Sequence, residues 1–111
     1  MEVRGHVPEL ERELAACDVA VVQGGLTTTM ELAQAGRPFL YFPLAHHFEQ
    51  QIHVPHRLER LGAGTRMDFA TATPESIGTA VADALARPVR RAPIADDGAA
   101  RAAALLAALI D

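Results

Sequence analysis

The stretch Ala16-Cys17-Asp18-Val19-Ala20-Val21-Val22-Gln23-Gly24-Gly25-Leu26-Thr27-Thr28-Thr29-Met30-Glu31-Leu32 decides the fold. In it an apolar run of strand length, Val19–Val22, leads into two adjacent glycines, and a helix rich in threonine at its start follows at once. That order is the layout of a phosphate site. The first backbone N–H groups of a helix have no partner inside it, and the aligned peptide dipoles place partial positive charge there, so an anion can bind without a lysine. Adjacent glycines let the backbone approach such a ligand closely.

On the amino-terminal side, Val3–Val7 reads as a short edge strand or a loop. Pro8–Ala16 reads as an amphipathic helix, with Leu10, Leu14 and Cys17 at helical spacing and charged residues between them. Asp18 ends it, and the run Val19–Val22 has the character of a strand covered on both faces. Beyond the glycines, a helix is expected over about Thr28–Ala35, stopped by Gly36 with Pro38 just past it.

Phe39–Phe42 is a second strand, closed by Pro43, and the loop Leu44–Phe48 carries His46 and His47. Glu49–Leu61 reads as helix, yet Pro55 inside it removes a hydrogen bond and crowds a carbonyl at a cost of ~3 kcal/mol, which predicts a kink or a late start. A third strand is expected over Thr65–Phe69. A helix follows over Pro74–Arg87, opened by Thr73 and with Ile77, Val81 and Leu85 as its buried stripe. Pro88–Pro93 reads as a linker. The segment 94–111 reads as a carboxy-terminal docking helix from about Asp97 to Ile110, with Leu105, Leu106, Leu109 and Ile110 as its docking face.

Alternating helices and strands imply an α/β fold, a Rossmann-like parallel sheet with flanking helices and right-handed crossovers. Residues 1–111 read as a single domain, apparently truncated: three or four strands is few for such a sheet, so an open strand edge is expected. With 111 residues, half of them hydrophobic, the chain can bury one modest core. A net charge of −4 and ten scattered arginines without a lysine argue against a nucleic-acid footprint. The single cysteine, the lack of a signal-type apolar opening and the lack of a membrane-length apolar run point to a soluble, cytoplasmic chain.

Gln23-Gly24-Gly25-Leu26-Thr27-Thr28-Thr29-Met30-Glu31-Leu32, Gly36-Arg37-Pro38, Pro43, Glu49-Gln50-Gln51 and Gly62-Ala63-Gly64, in that order, resemble the donor-binding carboxy-terminal domain of GT-B glycosyltransferases. The branch resembled is that of the UDP-glycosyltransferases and the peptidoglycan N-acetylglucosaminyltransferases. The likeness covers roughly Val3 to Phe69 and implies a nucleotide-sugar substrate, usually UDP-linked. It also implies inverting transfer to an acceptor hydroxyl, with no bound metal and no cofactor. By the resemblance, Gly24, Gly25, Leu26, Thr27 and Thr28 receive the diphosphate and Glu31 accepts from the ribose hydroxyls. Gln50 and Gln51, or Glu49 and Gln50 in the other register, hold the sugar. His46 and His47 read as loop histidines, either of which is placed to line the sugar pocket.

Gln23, a further donor-binding candidate, stands where many relatives carry histidine, so the phosphate contact there is expected to be a neutral amide or absent, and Val54 and Pro55 stand where relatives often have asparagine and alanine. The family's general base lies in an acceptor domain outside this chain, so the catalytic residue is unknown here. A missing amino-terminal domain or a partner chain is expected to complete the enzyme. The alternative from another class is a non-catalytic nucleotide-sugar-binding or interaction module of the same fold; a UDP-N-acetylglucosamine 2-epimerase is a weaker third reading.

The same residues also have plainer readings. Gly24-Gly25 can be a tight turn, Thr28 and Glu31 fit a Thr-x-x-Glu capping box, and Glu49–Gln51 can be solvated polar residues. His46, His47, His53 and His56 fall close together but lack metal-site spacing, and Cys17 reads as a small core residue.

Overall fold

A computed structural model describes residues 2–87 and 98–110. Three parallel strands, β1 (Ala20–Gln23), β2 (Phe39–Phe42) and β3 (Thr65–Arg66), lie in the order β1-β2-β3. Ala20 pairs with Phe39, Gln23 with Phe42 and Tyr41 with Arg66. Helix α1 (Leu10–Ala16) precedes β1, and α2 (Leu26–Ala35) joins β1 to β2. A π-helical turn (Glu49–His53) running into α3 (Val54–Leu61) joins β2 to β3, and α4 (Pro74–Ala86) and α5 (Gly98–Ile110) follow.

Side chains alternate along a strand, so β2 divides its apolar run between two faces. Phe39 and Tyr41 meet Leu32 and Ala33 of α2 and Val54 and Leu58 of α3 in the buried core, against which Ala20, Val22, Leu14 and Cys17 pack. Leu40, fully buried, points to the other face, where α4 contacts β2. Both core helices end in the same way. Gly36 and Gly62 take left-handed backbone (φ 71° and 66°), and the next amides reach back, Arg37 to Leu32 and Ala63 to Leu58.

Several boundaries differ from the sequence expectations. Val3–Val7 forms no strand, and α1 begins at Leu10 because Glu9 adopts left-handed backbone (φ 52°), which no helix continues through. Helix α2 starts two residues earlier than expected, with Gly25 as its N-cap. Pro55 is accommodated by the π-helical turn before it. The Val54 amide bonds to Glu49 O, and the wider turn eases the clash a proline ring makes with the carbonyl four residues back. Strand β3 is two residues long; Phe69, expected within it, is exposed and meets Phe42 edge to face.

β1 is covered on one face only, with Val21 half exposed. Its outer edge has no partner among the described residues. The expected stripe of α4 is not buried: Ile77 and Val81 are half-buried and Leu85 exposed. On α5, Leu105, Leu106, Leu109 and Ile110 are exposed, so no described residue covers the expected docking face. The expected linker Pro88–Pro93 and residues 94–97 lie outside the described residues.

Candidate functional site

The start of α2 is built from the strand outward. Gly24 still belongs to the sheet, its N–H donating to Phe42 O at 3.0 Å. It is buried against Pro43, whose Cα would lie 3.0 Å from a Cβ at this position. Gly25 then takes extended backbone (φ −68°, ψ 147°), and a Cβ there would meet no atom within 4 Å. The first helical bond is donated by Thr29 N–H to Gly25 O. The N–H groups of Gly25, Leu26, Thr27 and Thr28 therefore have no acceptor among the described residues, and no side chain caps the helix.

The capping-box reading of Thr28 and Glu31 is not what the structure shows. With Gly25 as the cap, Thr28 lies inside the helix, too late to serve the free amides. Glu31 is half-buried, and its carboxylate makes neither a hydrogen bond nor an ion pair with any described residue. Threonine does support this helix start, through the neighbouring Thr29. Thr29 is fully buried, and its hydroxyl donates to Gly25 O at 2.6 Å, with Leu26 O at 3.1 Å.

The second group of expected residues surrounds the loop after β2. Gln50 is buried and faces the loop itself: Oε1 accepts from Leu44 N–H at 2.8 Å, while its backbone N–H donates to His47 Nδ1 at 3.3 Å. Gln51 is half-buried, with Nε2 donating to Leu44 O at 3.2 Å and Pro43 O at 3.4 Å. Its Oε1 accepts from Arg66 Nη2 at 2.6 Å. Glu49 and His46 are exposed, and His46 holds left-handed backbone (φ 63°) at the loop tip. Phe48 stacks edge to face on His53. Among the described residues no three His, Cys, Asp or Glu side chains gather into a metal-binding group. Cys17 is half-buried, its thiol donating to Leu14 O.

A crevice of about 840 Å³ opens at the carboxyl ends of β1 and β2. Its walls are mostly apolar, with Val21, Phe42, Phe69 and Ile77 among them, and Gln23 and Gln51 supply polar edges. The expected residues thus divide. Gln23 and Gln51 line the crevice, whereas Gly25, Leu26, Thr27, Thr28 and Glu31 stand outside its wall on α2 and at its cap. Arg66 was missed by sequence reasoning, which saw only a short strand there; a lone arginine at a strand end gave no signal. Beside it, burial pushes the Tyr41 phenol up, Arg66 opposes that shift, and Glu59 adds to it.

Parallel strands flanked by helices, a crevice at their carboxyl ends and a glycine turn into an uncapped helix define a partial Rossmann-like domain of GT-B type. The chain belongs to the glycosyltransferase family 28 C-terminal domain family, whose model matches residues 1–109. It is 36% identical over 113 residues to the UDP-N-acetylglucosamine--N-acetylmuramyl-(pentapeptide) pyrophosphoryl-undecaprenol N-acetylglucosamine transferase of Acidiphilium cryptum (strain JF-5), an alignment covering 98% of this chain and 30% of that enzyme. The chain therefore spans about 30% of the length of this relative. No solved structure matches it significantly. No helix among the described residues is long and apolar enough to cross a membrane.

Proposed function

We propose that this chain is the donor-binding part of an inverting glycosyltransferase that moves a sugar from a UDP-sugar to an acceptor hydroxyl. The carrying observation is the start of α2, where four amides, Gly25 to Thr28, precede a glutamate, and neither those amides nor its carboxylate has a partner among the described residues. The diphosphate lies on those amides, and Glu31 accepts from the ribose hydroxyls. The name of the Acidiphilium relative supports N-acetylglucosamine as the sugar.

In the transfer, the acceptor oxygen attacks the anomeric carbon from the face opposite the diphosphate. The anomeric C–O bond breaks and its electron pair passes to the departing diphosphate. The acceptor proton goes to a general base on a part of the enzyme outside these residues. Amide dipoles fixed in advance stabilise the growing negative charge without a divalent cation. The enzyme works in the cytoplasm, where nucleotide sugars are available to it.

Calorimetric titration of the chain with UDP and UDP-N-acetylglucosamine in EDTA tests the reading. Saturable binding that weakens in Glu31→Ala is expected; no binding by the wild-type chain would refute it.

A further inference from the structure

We propose that Arg66 is a positioning residue of the donor site, which orients the Gln51 carboxamide so that its remaining acceptor meets a hydroxyl of the bound sugar. The inference rests on the donor-site reading above and adds a residue that reading does not contain. A glutamine carboxamide has two nearly isosteric ends of opposite hydrogen-bonding character, and without neighbours it presents either. Here both ends are assigned. Nε2 faces the carbonyls of Pro43 and Leu44, and Oε1 faces the Arg66 guanidinium at 2.6 Å. Turning the amide over would set an NH₂ against a guanidinium and an oxygen against two carbonyls, so the Arg66 contact and the loop carbonyls select one orientation together.

The backbone holds Arg66 in place for this task. It stands opposite Tyr41 in the parallel register of β2 and β3, and the Met67 amide extends the ladder by bonding to Tyr41 O at 2.9 Å. Among the described residues Arg66 has no acidic partner. Its charge is therefore available to the Gln51 oxygen, and a bond with a charged donor is shorter and stronger than a neutral one. Gln51 lines the crevice, and its Oε1 has a second lone pair beside the further N–H groups of Arg66. An acceptor next to donors complements a hydroxyl, which both donates and accepts. A UDP-sugar carries such hydroxyls on its sugar, and UDP lacks that sugar.

The test is calorimetry on the full chain with UDP and with UDP-N-acetylglucosamine, for wild type, Arg66→Ala and Arg66→Lys, with thermal melting of each. Arg66→Ala is expected to bind UDP as wild type does and the UDP-sugar about tenfold more weakly, the scale of one lost hydrogen bond to a charged group. Arg66→Lys keeps a charged donor and is expected to recover most of that loss, and all three proteins should melt alike. Equal weakening of both ligands in Arg66→Ala, or no weakening, would overturn the role of Arg66 while leaving the donor site standing. Failure of the wild-type chain to bind either ligand would remove the donor site and this role with it.

Discussion

Gly24 packs against the backbone of Pro43 with room for a hydrogen and none for a methyl group, since a Cβ at Gly24 would stand 3.0 Å from Pro43 Cα. Gly24 and Pro43 directly follow the paired residues Gln23 and Phe42, and Gly24 N–H bonds to Phe42 O, so the backbone on both sides of that contact is held. Gly24→Ala is therefore expected to destabilise the fold by about 1–3 kcal/mol, the usual cost of overpacking. Chemical denaturation would measure it, and an unchanged midpoint would show that the turn yields.

The neighbouring glycine behaves in the opposite way. A Cβ on Gly25 meets nothing within 4 Å, and its φ of −68° suits alanine. Gly25→Ala should cost at most about 1 kcal/mol, through the poorer N-cap. The methyl would nevertheless occupy space in front of the free amides. UDP affinity is expected to fall by about tenfold or more, on the scale of losing a hydrogen bond to a charged ligand. Titration calorimetry beside thermal melting separates the two effects.

Thr29 holds the free amides in register from beneath. Its buried hydroxyl donates to Gly25 O, so Thr29→Val removes a hydrogen bond at nearly constant shape. A loss of about 1 kcal/mol in unfolding free energy is expected, with Thr29→Ser losing less. Hydrogen exchange at Thr29 and Met30 should quicken in the valine variant.

Tyr41 is the single tyrosine, so its ionisation can be followed directly by absorbance. Burial raises its pKa, Arg66 lowers it and Glu59 raises it. In the unfolded chain the phenol ionises near its ordinary value of about 10, while the folded chain retains the proton to higher pH. The associated stability is thus complete below about pH 10 and is lost as the pH climbs through the folded pKa. Urea midpoints should fall above pH 10 in wild type and fall less in Tyr41→Phe. Arg66→Ala should raise the tyrosine titration further, because it removes the cation that favours the phenolate.

Gly64→Ala should be the most damaging of the glycine changes considered. Gly64 combines left-handed backbone (φ 74°) with a Cβ position 2.6 Å from the Phe39 ring. Left-handed backbone alone costs roughly 1–2 kcal/mol for a residue with a side chain, and displacing a core ring adds to it. A melting temperature near that of wild type would contradict this placement of Phe39.

How far the sequence could be read follows from which signals were local. Phe39–Phe42 was bounded by Pro38 and Pro43, and the strand occupies those four residues. Gly36 and Gly62 marked helix ends because left-handed backbone is a property of the residue itself. The start of α2 was misread because threonine is a common cap, whereas glycine took that position and left the amides bare. The apolar stripes of α4 and α5 were legible as pattern, but pattern does not say what covers a face. Gln51 came from the family resemblance, while its contact with Arg66 depends on a pairing between residues fifteen apart in sequence that no local signal encodes.

The central claim is that the amides opening α2 hold a diphosphate, and the direct measurement is a ¹⁵N-resolved NMR titration of the chain with UDP in EDTA. The account predicts that the amide resonances of Gly25, Leu26, Thr27 and Thr28 move most, saturably and together. Saturable binding that leaves those four resonances in place and instead shifts Val21, Phe69 and Ile77 in the apolar crevice would contradict it.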